Sequence, residues 1–168
     1  FGAMSVSGGG PFTDRFNPWC FGVERFPAPG CVENAGIVRE ADATRSLAAL
    51  KELLDRESSS LAALILEPSI QGAAGMKQQP PGFVAEVASL CKAADVHLIL
   101  DEVFVAFGRL GTMLVCSEEG IQPDFLCLAK GLTGGYLPLA ATMTTQEICA
   151  VFEGPYHEHR TLYHGHTF

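Results

Sequence analysis

Hydrophobic positions recur at helical spacing along several stretches of the chain. Residues 42–57 and 80–95 each place apolar residues on one face, which predicts two amphipathic helices. Residues 111–120 and 144–154 are expected to form two shorter helices. The apolar face of the first helix consists of Leu47, Leu50, Leu53 and Leu54, and the expected N-caps are Asp42 for the first helix and Thr144 or Thr145 for the last.

Between these helices the apolar residues run continuously instead of alternating with polar ones. Residues 61–68 are almost wholly apolar, and residues 96–103, 124–131 and 137–144 are also built around apolar runs, which is typical of strands that are buried on both faces. The first 40 residues are rich in glycine, proline and aromatic residues. They predict a long irregular segment with one short strand at Phe21–Phe26.

The order of these elements predicts the α/β class, with a mostly parallel sheet flanked by helices on both sides. In such sheets, ligands bind beyond the carboxyl ends of the strands. That rule selects residues 67–75, 101–111 and 130–135, which are also rich in polar residues and glycine. A binding site is therefore expected where these three stretches meet.

Composition removes several classes of function. The 168 residues are 48% hydrophobic, which is enough for one domain with a core. The net charge is −8 without any basic block, so neither nucleic acid nor an anionic membrane is an expected partner. The apolar runs are shorter than the roughly 20 residues of a membrane helix, and no secretory signal is visible. Six cysteines without a CxxC pair favour reduced thiols and a cytoplasmic location.

Two charged residues stand at the ends of apolar runs. Asp101, followed by Glu102, ends the run at 97–100, and Lys130 ends the run LCLA. A buried carboxylate is costly unless something compensates it. Asp101 could serve a nucleotidase, although the GxxxxGK[ST] loop that such an enzyme needs is absent, or it could cap the following loop. Lys130 could be partly desolvated, which favours a neutral, nucleophilic amine, or it could extend into solvent.

One cofactor accounts for both residues together. Pyridoxal phosphate is held by a lysine as a Schiff base, and an acidic residue keeps its ring nitrogen protonated. Asp101 and Lys130, at the ends of neighbouring strands, fit those two tasks. The histidine-rich stretch 157–167 has no cysteine at zinc-site spacing, and we expect no metal site there.

Four segments, in this order and spacing, resemble the class III aminotransferases of fold type I. They are EPSIQGAAGM, LILDEVFVAFGRLG, CLAKGLTGGYLPLAAT and HGHTF. The resemblance implies that residues 1–168 form part of the large domain of a pyridoxal phosphate-dependent transferase. It also implies that an N-terminal segment and a C-terminal small domain lie outside these residues, and that the 168 residues alone would not transaminate.

The resemblance implies particular roles for five residues. Lys130 would bind pyridoxal 5′-phosphate covalently and move protons during catalysis, and Asp101 would pair with the pyridine nitrogen. Val103 would pack on one face of the ring, and Gln71 would lie near the ring hydroxyl. Thr167 would donate to the cofactor phosphate of the neighbouring subunit, because the family's sites lie at a homodimer interface. Glu67 matches the family too, in a role that is either structural or functional.

The implied reaction is a ping-pong transamination of small molecules. The donor would be S-adenosylmethionine and the acceptor 8-amino-7-oxononanoate, giving 7,8-diaminononanoate in biotin biosynthesis. One alternative is a class III enzyme that acts on an ω-amino acid or a diamine. Another is a non-catalytic α/β ligand-binding domain, because the family's DEVxTGFGRTG is changed at Val105, Ala106 and Leu110. Alanine in place of glycine leaves the path of that loop open.

Overall fold

The computed structural model describes residues 1–29 and 40–163 of the chain. Five α-helices lie in these residues: α1 Gly2–Val6, α2 Glu40–Glu57, α3 Phe83–Ala93, α4 Val115–Glu118 and α5 Gln146–Val151. Six strands accompany them: β1 Ala63–Leu66, β2 Ile70–Gln71, β3 Lys77–Gln78, β4 His97–Asp101, β5 Phe125–Leu128 and β6 Ala141–Thr144. Short 3₁₀ turns occur at Asp14–Trp19, Ser58–Ser60, Lys130–Leu132 and Tyr156–Glu158.

The main sheet has the strand order β1-β4-β5-β6. Strands β1, β4 and β5 are parallel, and β6 is antiparallel to β5. Leu66 pairs with Leu100, and Asp101 pairs with Cys127, so β1, β4 and β5 end at one edge. The predicted mostly parallel sheet is therefore confirmed. A separate antiparallel pair, β2 with β3, follows the end of β1.

Helices α2 and α3 pack against one face of the main sheet. Alternate strand residues such as Leu100 and Leu128 point into this core because side-chain direction alternates along a strand. Residues of the opposite face, including Ile99 and Phe125, are only half-buried among the described residues. Helices were predicted on both faces of the sheet, and within the described residues they cover one of the two faces. The buried core cluster comprises Leu50, Leu54, Phe83, Val84, Val87, Cys91, Val96, Leu98, Leu100, Ala106, Cys116, Leu126 and Leu128.

The structure confirms the four predicted helices and corrects several details. Helix α2 begins at Glu40, so Asp42 lies inside the helix instead of capping it. Thr145 is the N-cap of α5, and its hydroxyl accepts a hydrogen bond from the Ile148 amide. The expected strand at Phe21–Phe26 is wrong, because those residues form no regular element. Strand β6 exists, but all four of its residues are exposed instead of buried.

The described residues fit the expected thiol state. Cys20, Cys91, Cys116, Cys127 and Cys149 are free thiols, and Cys31 lies outside the described residues. Within residues 1–29 and 40–163, none of the helices is both long enough and apolar enough to span a membrane.

Candidate active site

Asp101 is the last residue of β4 and turns the chain away from the sheet. Its Oδ1 accepts a hydrogen bond of 3.1 Å from the Val103 amide, which is the loop-capping role that the sequence left open. Its second oxygen has no hydrogen-bond donor within the part of the chain that is described. Burial and then the negative charge of Asp101 raise the pKa of the Cys127 thiol, which pairs with Asp101 across the sheet. The half-buried Asp101 therefore has one carboxylate oxygen that can still accept a hydrogen bond or pair with a cation.

The neighbouring carboxylate, Glu102, has an entirely different environment, which the sequence did not predict. Glu102 is fully buried, and its two oxygens accept hydrogen bonds of 2.8 and 2.7 Å from the amides of Val115 and Cys116. These amides belong to the first turn of α4 and have no acceptor within the helix. Glu102 therefore closes the loop of residues 102–111 (the 102–111 loop) against α4.

Lys130 lies two residues beyond the end of β5 and begins a 3₁₀ turn. It has a left-handed backbone, with φ of 41°, which is uncommon for a residue with a side chain. The side chain is exposed, which is the second of the two alternatives that the sequence left open. Because β4 and β5 are adjacent and parallel, Lys130 and Asp101 lie at the same edge of the sheet.

Gln71 lies at the end of β2, in the loop of residues 67–79 (the 67–79 loop) that follows β1. Glu67 holds this loop: its Oε2 accepts a 2.8 Å hydrogen bond from the Gly72 amide, and its carbonyl accepts one of 2.8 Å from Gln79 Nε2. Glu67 thus has the structural role that was one of its two expected roles. Gln71 follows the end of β1, as the rule for parallel sheets predicts.

Phe104 connects these segments, and the sequence did not single it out. Lys130 Nζ lies 5.4 Å from the centroid of the Phe104 ring. A Cβ placed on Gly72 would lie 3.0 Å from Cγ of the same ring, so the ring packs directly on the glycine. Val103, the expected ring-packing residue, precedes Phe104 and is half-buried. The three stretches that the sequence selected therefore meet at this edge.

The changed residues of the 102–111 loop do not have positive φ angles. Val105 and Ala106 are buried, with 0% and 5% exposure, and Ala106 belongs to the core. Ala106 is not among the residues with positive φ, so the position does not need glycine. The left-handed residues of this loop are Phe107, Gly108 and Gly111. Leu110 is exposed.

Two expected features fall partly or wholly outside the described residues. Thr167 and the HGHTF segment lie outside them. In the histidine-rich stretch, His159 contacts the Tyr163 hydroxyl at 3.0 Å, and both are exposed. Among residues 1–29 and 40–163, no three His, Cys, Asp or Glu side chains form a group that could hold a metal.

The groups at this edge fit pyridoxal phosphate. Asp101 offers a carboxylate oxygen without a donor, and Lys130 offers a primary amine that forms no ion pair within the described residues. Such an acid and such an amine are what the cofactor's ring nitrogen and aldehyde need. The convergence of these two groups on one ring remains a prediction.

Comparison with known proteins places the chain in a family. The class-III aminotransferase family matches residues 1–168, the whole chain. The protein therefore belongs to the class-III aminotransferases, and the expected resemblance is confirmed.

Particular relatives within that family are more specific. The adenosylmethionine-8-amino-7-oxononanoate aminotransferase of Geobacter sulfurreducens is 44% identical over 99% of this chain. The crystal structure of the enzyme of that name from Methanocaldococcus jannaschii matches with a TM-score of 0.80 and 44% identity over 99% of this chain. An ω-transaminase structure from Thermomicrobium roseum matches 81% of this chain with a TM-score of 0.68 and 36% identity.

These matches extend over only part of each relative. The chain spans 37% of the Geobacter protein, 36% of the Methanocaldococcus structure and 30% of the Thermomicrobium structure. The chain therefore corresponds to about a third of the length of each of these proteins.

Proposed function

We propose that the whole protein transfers an amino group from S-adenosylmethionine to 8-amino-7-oxononanoate, giving 7,8-diaminononanoate in biotin biosynthesis. The strongest support is the 44% identity, over 99% of the chain, to two relatives named adenosylmethionine-8-amino-7-oxononanoate aminotransferase. The placement of Asp101 and Lys130 at the ends of adjacent parallel strands is consistent with it. Pyridoxal phosphate would be the cofactor, and the active unit would be a homodimer.

The residues of this chain would divide the work between binding and proton transfer. Bound pyridoxal phosphate supplies an electron sink that stabilises negative charge at the reacting carbon. Asp101, through its free oxygen, would hold a proton at the ring nitrogen. Val103 would limit the ring on one face, and Gln71 would lie near the ring hydroxyl. Thr167 would donate to the phosphate in the partner's site.

Lys130 would bind the cofactor and act as the base and acid for proton transfer. Its amine is exposed and lies two residues beyond the end of β5. General acid–base catalysis by a placed side chain is typically worth roughly 10²–10⁴-fold. Lys130→Ala should therefore abolish covalent attachment of the cofactor and nearly all turnover in the full chain.

Borohydride reduction tests this assignment directly. Reduction of the full chain with bound cofactor, followed by peptide mapping, should place the modification on Lys130. Lys51→Ala is the control, because Lys51 lies on the surface of α2 in an ion pair with Asp55. Modification of another lysine would refute the assignment of Lys130.

An ω-amino acid or diamine aminotransferase is the second candidate. The 36% identity to the Thermomicrobium ω-transaminase over 81% of the chain favours it. A donor screen separates the two: use of S-adenosylmethionine but not of 4-aminobutyrate or a diamine supports the first. Use of the amines alone supports the second.

A further inference from the structure

We propose that Phe104 is a positioning residue whose ring holds the amine of Lys130 beside the 67–79 loop. The effect of this contact on cofactor attachment rests on the proposed function, whereas the contact itself does not. Phe104 lies three residues beyond Asp101, in the segment that leads from the end of β4 to the beginning of β5.

The first observation is the position of the lysine amine over the ring. Lys130 Nζ lies 5.4 Å from the ring centroid, within the roughly 6 Å at which a cation is attracted to an aromatic face. In the residues that the structure describes, no carboxylate forms an ion pair with this amine. Among the described residues, the aromatic face of Phe104 therefore attracts this amine without competition from an ion pair.

The second observation is that the ring itself cannot move freely. An added Cβ on Gly72 would lie 3.0, 3.1 and 3.3 Å from three ring atoms of Phe104, closer than ordinary van der Waals contact. The amide of Gly72 is in turn held by Glu67 at 2.8 Å. The ring therefore packs on a backbone that is hydrogen-bonded to Glu67, the residue that directly follows β1.

The third observation concerns the residue after the lysine. A Cβ on Gly131 would lie 2.8 Å from Cβ and Cδ2 of Phe107, in the same 102–111 loop. Phe107 is itself held by a 2.8 Å hydrogen bond from its amide to the Met113 carbonyl. One loop thus contacts both the Lys130 side chain and the backbone next to it.

These contacts restrict the positions that the Lys130 amine occupies. A lysine has four rotatable side-chain bonds, and an exposed one samples many rotamers. The Phe104 ring favours those rotamers that keep Nζ close to the 67–79 loop, which contains Gln71. In the proposed function this is the side from which the cofactor is bound.

Nuclear magnetic resonance of the cofactor-free full chain tests the contact. Reductive ¹³C-methylation labels the lysine amines, and the signal of Lys130 is the one that Lys130→Arg lacks. We expect this signal to be shifted upfield by the ring current of Phe104. The shift should disappear in Phe104→Leu and persist in Phe104→Tyr, which keeps the ring. A signal without an upfield shift, or one unchanged in Phe104→Leu, would overturn the contact.

The rate of cofactor attachment tests the positioning role. Pyridoxal phosphate is added to the cofactor-free chain, and the visible absorbance of the lysine adduct is followed. Loss of an exposed cation–aromatic contact should slow attachment about two- to fivefold in Phe104→Leu and leave Phe104→Tyr unchanged. An unchanged rate in Phe104→Leu would refute the positioning role, even with the ring-current shift present. No adduct at Lys130 in the unaltered chain would refute the proposed function, and the resonance would still decide the contact.

A double variant adds a test that is specific to the packing. Gly72→Ala should displace the ring and reduce both the upfield shift and the attachment rate. Because Phe104→Leu removes the clashing ring atoms, the variant with both substitutions should attach cofactor no more slowly than Phe104→Leu alone. Additive losses would show that Gly72 acts independently of Phe104 and would contradict the proposal.

Discussion

Adjacent carboxylates at the end of β4 have opposite environments, and backbone direction explains why. Successive side chains of a strand point to opposite faces, so Asp101 and Glu102 separate at the strand end. Glu102 uses both oxygens for the amides of α4 in a fully buried position. Asp101 uses one oxygen for the Val103 amide. Only one of the pair therefore has an oxygen available for a ligand.

Replacing Glu102 tests its structural role. Glu102→Gln keeps the shape but puts an amide NH₂ where one of the two oxygens accepts a hydrogen bond. One buried backbone amide then loses its acceptor, which typically costs about 1–3 kcal/mol. We expect the free energy of unfolding of the full chain, measured in urea, to fall by that amount.

A matched substitution on the same helix provides the control. Glu118 is also in α4 but is exposed, so Glu118→Gln should change the free energy of unfolding by less than about 0.5 kcal/mol. Equal losses for the two variants would show that the buried hydrogen bonds of Glu102 add no more to the free energy of unfolding than an exposed carboxylate does.

Some residues of the site could be predicted from the sequence alone. Asp101 and Lys130 were recognisable because each is a charge at the end of an apolar run. The burial of Glu102 and the contact of Phe104 with Lys130 were not, because both depend on loop geometry. Left-handed φ angles at Phe107 and Lys130, of 60° and 41°, have no signal in those residue types.

At the scale of elements, Asp124 joins the strands that frame the site. Its Oδ2 accepts a 2.7 Å hydrogen bond from the amide of buried Leu98, and its Oδ1 lies 3.2 Å from His97 Nδ1. Its carbonyl accepts from the hydroxyl of Thr144, which belongs to β6. One residue before β5 thus contacts both neighbouring strands.

Removal of this carboxylate should loosen β4 from β5. Asp124→Ala leaves the Leu98 amide without its acceptor, so we expect a loss of about 1–3 kcal/mol in the free energy of unfolding. The amide of Leu98 should also exchange faster with deuterium. Asp55→Ala removes an exposed ion pair with Lys51 and should cost at most about 1 kcal/mol. Unchanged exchange at Leu98 in Asp124→Ala would contradict this account of the strand pair.

The elements themselves were predictable wherever burial produces a helical period or a continuous apolar run. Helix α2 follows its leucines, and β4 and β5 follow their apolar runs. Strands β2 and β3 were missed because two residues each give no period to detect. The apolar sequence of β6 suggested burial, but β6 pairs with β5 at one end of the sheet order and is exposed.

For the whole molecule, buried thiols predict sensitivity to alkaline pH. Burial, with the negative charge of Asp124 second, raises the pKa of Cys91 from 9.0 to about 11. Burial, with a hydrogen bond to Glu102 second, raises the pKa of Cys116 from 9.0 to about 11. In the unfolded chain both thiols lose their protons near pH 9, while in the folded chain they keep them. The contribution of these two thiols to the free energy of unfolding is therefore fully present below pH 9 and is lost as the pH rises to about 11.

Unfolding in urea at several pH values measures this effect. At pH 10, each thiol should lower the free energy of unfolding on the order of 1 kcal/mol relative to pH 8. The variant with Cys91→Ala and Cys116→Ala should lose less stability over the same pH range. An equal pH dependence in that variant and in the unaltered protein would assign the loss to other groups.

At position 130, the residue that the proposed reaction needs differs from the residue that would best stabilise the left-handed backbone. Glycine adopts this conformation without the cost of roughly 1–2 kcal/mol that a side chain incurs. A library of variants at residue 130, sorted by thermal tolerance alone, should therefore enrich glycine, and Lys130→Gly should unfold at a higher temperature while attaching no cofactor. Directed evolution that rewards heat resistance without assaying turnover would discard the one amine on which the proposed reaction depends.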